Sequence, residues 1–138
     1  MNRLKGVISK VESTESVSLV DVAVGGDVFS SLVLDSPSAS PFLVEGRVVS
    51  LLFKETSVSI SKEPDCRISI RNRINSVVKS VESGKVMSRI VLDYNGTKVV
   101  SLITSRSVAR LDIKAGDAVQ GMVKASDMLL MESENAGV

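Results

Sequence analysis

Histidine is absent from the sequence, and so is tryptophan. Without histidine the commonest general base is missing, and with it the Ser-His and Cys-His nucleophile pairs and the usual zinc ligands. A carboxylate pair is the remaining route to hydrolysis. Yet Asp93, Asp112, Asp117 and Asp127 fall in predicted turns or at strand ends, where acids serve solvation or capping. No phosphate-loop or dinucleotide glycine pattern is present. The inventory implies a protein that is not an enzyme, with no catalytic cofactor and no metal held directly by side chains. The single cysteine, Cys66, rules out an internal disulfide and a cysteine-rich metal site, and it fits a reducing compartment. Aromatics make up only 3%, so the core must be aliphatic. With a net charge of +1, no global field draws the chain to nucleic acid or membrane. The opening residues, Met1 to Gly6, form no apolar signal region, and no run approaches the roughly 18 apolar residues of a membrane span. The expected location is the cytoplasm.

What the sequence does have is Val, Ile, Leu and Ser, arranged twice. When Asn2-Arg3 is laid on Asn72-Arg73, the halves align without a gap. Val11-Glu12-Ser13 then falls on Val81-Glu82-Ser83, Ser31-Leu32 on Ser101-Leu102, and Gly26, Gly46 and Lys54 on Gly96, Gly116 and Lys124. Such a match marks a duplication. It gives a first copy over residues 1–62, a join at 61–67, a second copy over 66–132 and a polar, flexible tail at 133–138.

Each copy reads as short strands with one short helix. In the second, Ile74–Val81 and Val86–Asp93 alternate as half-buried strands do. Tyr94-Asn95-Gly96-Thr97 is a hairpin turn, since Asn-Gly supplies positive φ angles. Lys98–Ile103 is the next strand, and Thr104 or Ser105 caps a helix through Leu111. Lys114–Asp117 is a turn, followed by strands at Ala118–Lys124 and Met128–Met131. In the first copy Gly25-Gly26 makes the hairpin turn, and the helix region, Asp35 to Phe42, carries two prolines. The fold class is all-β: two tandem OB-like small β-barrels. Barrels of this size bury little surface alone, so packing between modules or chains is expected.

The polar residues that stand out are hydrogen-bond donors. Ser69, Arg71, Asn72 and Arg73 precede or open a strand. Thr104, Ser105 and Ser107 sit at the predicted helix start, where unpaired N–H groups favour anions. Lys124, Ala125 and Ser126 lie between two strands. A fully ionised oxyanion accepts hydrogen bonds only, and these clusters suit it. Each cluster alone also has an ordinary reading. Thr104-Ser105 is first of all a helix cap, and Arg71 or Lys124 a solvated charge. Met122, Met128 and Met131 read as core filler.

Four segments carry a family resemblance: Ile68–Arg73, Gly84–Thr97, Ile103–Leu111 and Val123–Met128. Together and in this order they resemble one Mop domain, the TOBE module of the molbindins, and by the repeat the whole chain resembles a di-Mop molbindin. The resemblance implies barrels that exchange strands and assemble as homo-oligomers, with a trimer the first choice and a dimer the second. It implies a molybdate or tungstate ligand and a role in cytoplasmic storage or homeostasis of molybdenum. The alternative is a molybdate-sensing effector domain of a transcriptional regulator or transporter ATPase. It implies ligands at Ser69, Arg71, Asn72, Thr104, Ser105, Ser107, Lys124, Ala125 (through its backbone) and Ser126.

The first copy departs from that pattern. Met1 falls where Arg71 sits, and Leu34 and Asp35 replace Thr104 and Ser105. Asp35 repels a dianion. The first copy is therefore expected to have lost a full site of its own, while Asn2, Arg3, Lys54 or Thr56 can contribute to a shared one. On this reading Lys54 matters less than Lys124, because it lacks hydroxyl partners. Binding of RNA or single-stranded DNA by an OB-like fold needs stacking aromatics and a basic groove. Phe29, Phe42, Phe53 and Tyr94 do not supply them.

Overall fold

The computed structural model describes residues 1–133, and the segment 134–138, most of the expected tail, lies outside the described residues. The described residues form ten strands: β1 Asn2–Ser13, β2 Ser18–Val24, β3 Asp27–Val33, β4 Val48–Phe53, β5 Ser59–Ser61, β6 Asn72–Ser83, β7 Met87–Tyr94, β8 Thr97–Thr104, β9 Ala118–Val123 and β10 Leu129–Glu132. One helix, α1, spans Ser105–Leu111, and 3-10 turns occupy Glu55–Ser57 and Ala125–Asp127.

Local chemistry explains most of these boundaries. β1 alternates buried and exposed residues from Asn2 to Ile8, which is the period of a strand with one face in a core. The β7–β8 hairpin turns at Asn95 (φ 49°) and Gly96 (φ 89°), the positive pair that a two-residue turn needs. Helix α1 ends at Asp112, in the left-handed conformation (φ 50°). The first copy does not form the helix expected of it. Among the described residues α1 is the only α-helix, and the stretch after Asp35 makes turns instead. There Ala39 N and Ser40 N donate to Ser36 O at 3.0 and 2.8 Å. Pro37 and Pro41 bracket that stretch and remove two N–H donors, so it cannot extend into a helix.

The strands form two five-stranded sheets, each curled into a small OB-like barrel, ordered β10-β4-β1-β2-β3 and β5-β9-β6-β7-β8. Both first strands carry a bulge at the same place in the repeat, between Ile8 and Lys10 in β1 and between Val78 and Ser80 in β6. A bulge raises the local twist that a short sheet needs to curl.

The two compact units do not coincide with the two copies. One contains Arg3–Phe53 with the chain from Lys124 onward, and the other contains Lys54–Val123 with Met1 and Asn2. Each barrel is thus closed by the last segment of the other copy. In the unit built on the first copy, β10 pairs with β4 (Leu129 opposite Leu52) and lies against β3. In the unit built on the second, β5 pairs with β9 (Ile60 opposite Gly121) and lies against β8. The repeat boundary at 61–67 therefore divides the sequence but not the barrels. The cores are aliphatic: Leu4, Ile8, Val20, Val22, Val49, Leu51 and Met128 with Phe29 and Phe53 in one, and Val58, Ile74, Val78, Ile90, Leu92, Val99 and Val123 in the other. Met122 is also buried, whereas Met131 is about half exposed and is not core filler.

Candidate oxyanion site

The helix start is the most structured of the expected clusters. Strand β8 runs straight into α1, and Thr104 at the junction keeps extended backbone angles (φ −69°, ψ 147°). Its hydroxyl oxygen accepts from Ser107 N at 3.1 Å and donates to Ser107 Oγ at 2.9 Å. Ser107 therefore keeps its own hydroxyl proton. Ser105 is fully engaged within the protein. Its N–H donates to Val86 O at 2.8 Å, and its hydroxyl donates to Gly84 O at 2.7 Å. A hydroxyl has one proton, so the buried Ser88, 2.8 Å away, is the donor in the Ser88–Ser105 pair. Ser105 thus fastens the helix start to the β6–β7 turn. Ser88 was not singled out in the sequence, although its equivalent Ser18 is a serine too.

The leading segment lies in the same unit. Ser69 and Arg71 are exposed, and Asn72 is buried at the first position of β6. Asn72 stands opposite Val123, the residue before Lys124. Arg73, next along β6, is engaged within the chain. Its guanidinium donates to Cys66 O and, at 3.3 Å, to Ile68 O, which ties down the join.

The exchange changes which residues accompany the helix start. The 3-10 turn at Glu55–Ser57, with Lys54 before it, belongs to the unit of Thr104 and Ser107 and packs against β8. Lys54 and Thr56 are exposed. Glu55, between them, faces the N-terminal ammonium of Met1 at 2.7 Å. That hydrogen bond holds its carboxyl below the usual glutamate range. Asn2 also belongs to this unit, in a structural role. Its side-chain amide donates to Val100 O and accepts from Val100 N, both at 2.8 Å, and it is buried. It acts as one more rung of the sheet.

Lys124, Ala125 and Ser126 belong to the other unit, with Arg3. Their turn packs against β3. A cavity of about 330 Å³ there is lined by residues 31–34 of the first copy with Ser126 and Met128–Leu130. Its walls are mainly Leu32, Val33, Leu34, Leu129 and Leu130. Asp35 follows, with one carboxylate oxygen accepting from Ser36 N at 2.9 Å and the other from the Ser40 hydroxyl. The Ser40 and Ser36 bonds, in that order, lower its pKa, so it stays charged. The three expected clusters are therefore not gathered in one unit: the leading segment and the helix start share one with Lys54 and Thr56, and Lys124 to Ser126 lie in the other.

Comparison with known proteins accords with this architecture. The TOBE domain family matches residues 68–130. Molybdenum-pterin-binding protein 3 of Clostridium pasteurianum is 32% identical over 65 residues, which is 46% of this chain and 96% of that protein. The molybdenum import ATP-binding protein ModC of Brucella abortus is 29% identical over 123 residues, 88% of this chain; the chain spans only 32% of the length of that relative. Among solved structures, the cytoplasmic molybdate-binding protein ModG in a molybdate-bound crystal form superposes with a TM-score of 0.89, at 29% identity and 96% coverage of both chains. The chain belongs to the TOBE family, as a tandem Mop-domain protein of the molbindin type.

Proposed function

We propose that this protein binds molybdate or tungstate without transforming it and serves cytoplasmic molybdenum storage or homeostasis as a homo-oligomer, with a trimer the first choice. The observation that carries the reading is the match to the molybdate-bound ModG structure over 96% of both chains, and the donors that share a unit with the β8–α1 junction support it. Ser107 offers a hydroxyl proton, Lys54 an ammonium and Thr56 a second hydroxyl, with Arg71 and Ser69 in the same unit. Ser105 and Asn72 position backbone in this scheme. Lys124, Ala125 and Ser126 form a second donor group, weakened by the charged Asp35 in the same unit.

Molybdate is a dianion with four acceptor oxygens and no proton. Hydrogen phosphate has a proton that needs an acceptor, and a donor set leaves it unmatched, at about 1–3 kcal/mol for an unsatisfied buried group. Calorimetric titration with molybdate, tungstate, sulfate and phosphate, beside a native mass measurement, tests the proposal. Molybdate and tungstate should bind, sulfate should compete weakly, and phosphate should not displace molybdate. Displacement by phosphate at equal concentration would sink the donor-only site.

A further inference from the structure

A second concavity, of about 190 Å³, lies apart from those donors on the β6–β7–β8 sheet and is lined by Lys79, Val91, Leu92, Asp93, Gly96 and Lys98. Its make-up follows from strand register. Asp93 on β7 stands opposite Lys98 on β8. On the other side of β7, Val78 stands opposite Leu92 and Ser80 opposite Val91, so Lys79 is the extra residue of the bulge in β6. The bulge leaves this lysine exposed, and two ammonium groups flank the central strand. Among the described residues neither the Lys79 nor the Lys98 ammonium forms an ion pair or hydrogen bond. One oxygen of Asp93 accepts from Gly96 N at 2.8 Å, so the carboxylate is fixed in place with its other oxygen open. The first copy has Ser9, Ala23 and Val28 at the equivalent positions. The fold therefore does not require this trio, which belongs to the second barrel alone.

We propose that Lys79, Lys98 and Asp93 form a separate site for hydrogen phosphate. The two ammonium groups meet its charge, and the open oxygen of Asp93 accepts its P–OH proton. Sulfate and molybdate have no such proton at neutral pH and face a bare carboxylate, which rejects them. The site is thus the chemical converse of the donor-only one. It takes the protonated oxyanion that the other leaves unmatched.

The test is a ¹⁵N NMR titration of the full chain at pH 7 and constant ionic strength, with inorganic phosphate and with sulfate, following the Gly96 and Lys98 amides. Saturable shifts with phosphate are expected, with at least tenfold weaker response to sulfate. A Lys79→Gln, Lys98→Gln double variant should lose phosphate affinity at least tenfold. Asp93→Asn can keep the bond to Gly96 while replacing the open acceptor with a donor, and it should prefer sulfate to phosphate. Equal response to both anions in the unaltered protein, or phosphate shifts that survive in the double variant, would overturn the site. Molybdate should bind equally in the phosphate-saturated protein and in the double variant, so the two proposals fail separately.

Discussion

The hydroxyl of Ser101 donates to the carbonyl of Val58 at 2.7 Å, with Ser101 fully buried and Val58 only 1% exposed. Ser31, at the same place in the other copy, makes the matching bond to Met128 O at 2.6 Å. Each serine lies on the strand that ends near its barrel's polar cluster, and each carbonyl follows a 3-10 turn delivered by the other copy. The pair works as a latch on the exchanged segment, used twice.

Removing either latch should be felt as lost stability. Ser101→Ala leaves the Val58 carbonyl without this donor in a dry interior, and we expect a loss of about 1–3 kcal/mol. Ser31→Ala should behave alike. Urea unfolding followed by far-UV circular dichroism measures both. A change below about 0.5 kcal/mol, the usual size for surface substitutions, would mean the latch is unimportant.

Molybdate affinity should depend more on Lys54 than on Lys124. The sequence ranks them the other way, because Lys124 lies in the same copy as Thr104 and Ser107. The exchange places Lys54 in the unit of those hydroxyls and Lys124 in the unit of Asp35. We expect Lys54→Ala to weaken binding by about ten- to a hundredfold, the worth of one charge-assisted contact at roughly 1.5–3 kcal/mol. Calorimetry on both variants decides it, and a larger loss for Lys124→Ala would restore the sequence ranking.

What was legible in the sequence is what short-range chemistry decides. Asn95-Gly96 must turn, Thr104 must cap, and Lys114–Asp117 closes on itself through Lys114 N to the Asp117 carboxylate at 2.9 Å. The repeat exposed the duplication, and with it the fold. The exchange was not visible in the alternation of residues, because the two closing segments are equivalent in the repeat, with Val58 matching Met128 and Ile60 matching Leu130. Nor could spacing reveal that Ser105 gives its only proton to Gly84, or that Asn2 binds Val100. Both depend on partners brought close by folding. The sequence signal nearest to these was the identity of Ser31 and Ser101 inside apolar strands, where a buried hydroxyl needs a partner.

Glycine at position 6 should be irreplaceable where glycine at position 26 is not. A Cβ at Gly6 would sit 2.4 Å from Ala23 O and 2.7 Å from a Val22 methyl, whereas at Gly26 nothing lies within 4 Å. Gly6→Ala should destabilise by about 1–3 kcal/mol, the usual range for overpacking. Gly26→Ala should change stability by less than about 0.5 kcal/mol. Thermal melts of the two variants compare them directly, and equal midpoints would contradict the close approach.

Stability should be flat around neutrality and fall in acid. No histidine titrates between about pH 6 and 8. The carboxyls of Asp35, Glu55 and Asp117 are depressed in the fold, mainly by Ser40, by the terminal ammonium and by Lys114 N respectively. Depressed values stabilise above the ordinary carboxyl range, and that contribution disappears as pH falls through the folded values. Lys114, raised chiefly by its bond to Asp112, contributes below the ordinary lysine value and loses that contribution as pH climbs through its folded one. Calorimetric midpoints from pH 2 to 8 should hold steady above about pH 5 and drop below about 4. Asp35→Asn should soften that drop, and a midpoint that falls between pH 8 and 6 would show a titrating group outside this account.

The exchanged closing strands also bear on synthesis. A ribosome delivers the chain from its amino end, so β1 to β4 emerge before the second copy, but Leu52 cannot meet Leu129 until that copy has been made. The first module to be translated is therefore the last to be sealed, waiting with β4 unpaired along one edge. The second barrel receives β5 before its own strands exist and can close as soon as β9 appears. Folding should thus proceed against the order of translation, from the later module back to the earlier. The interval in which β4 lies open is when a nascent chain is most exposed to pairing with the wrong neighbour.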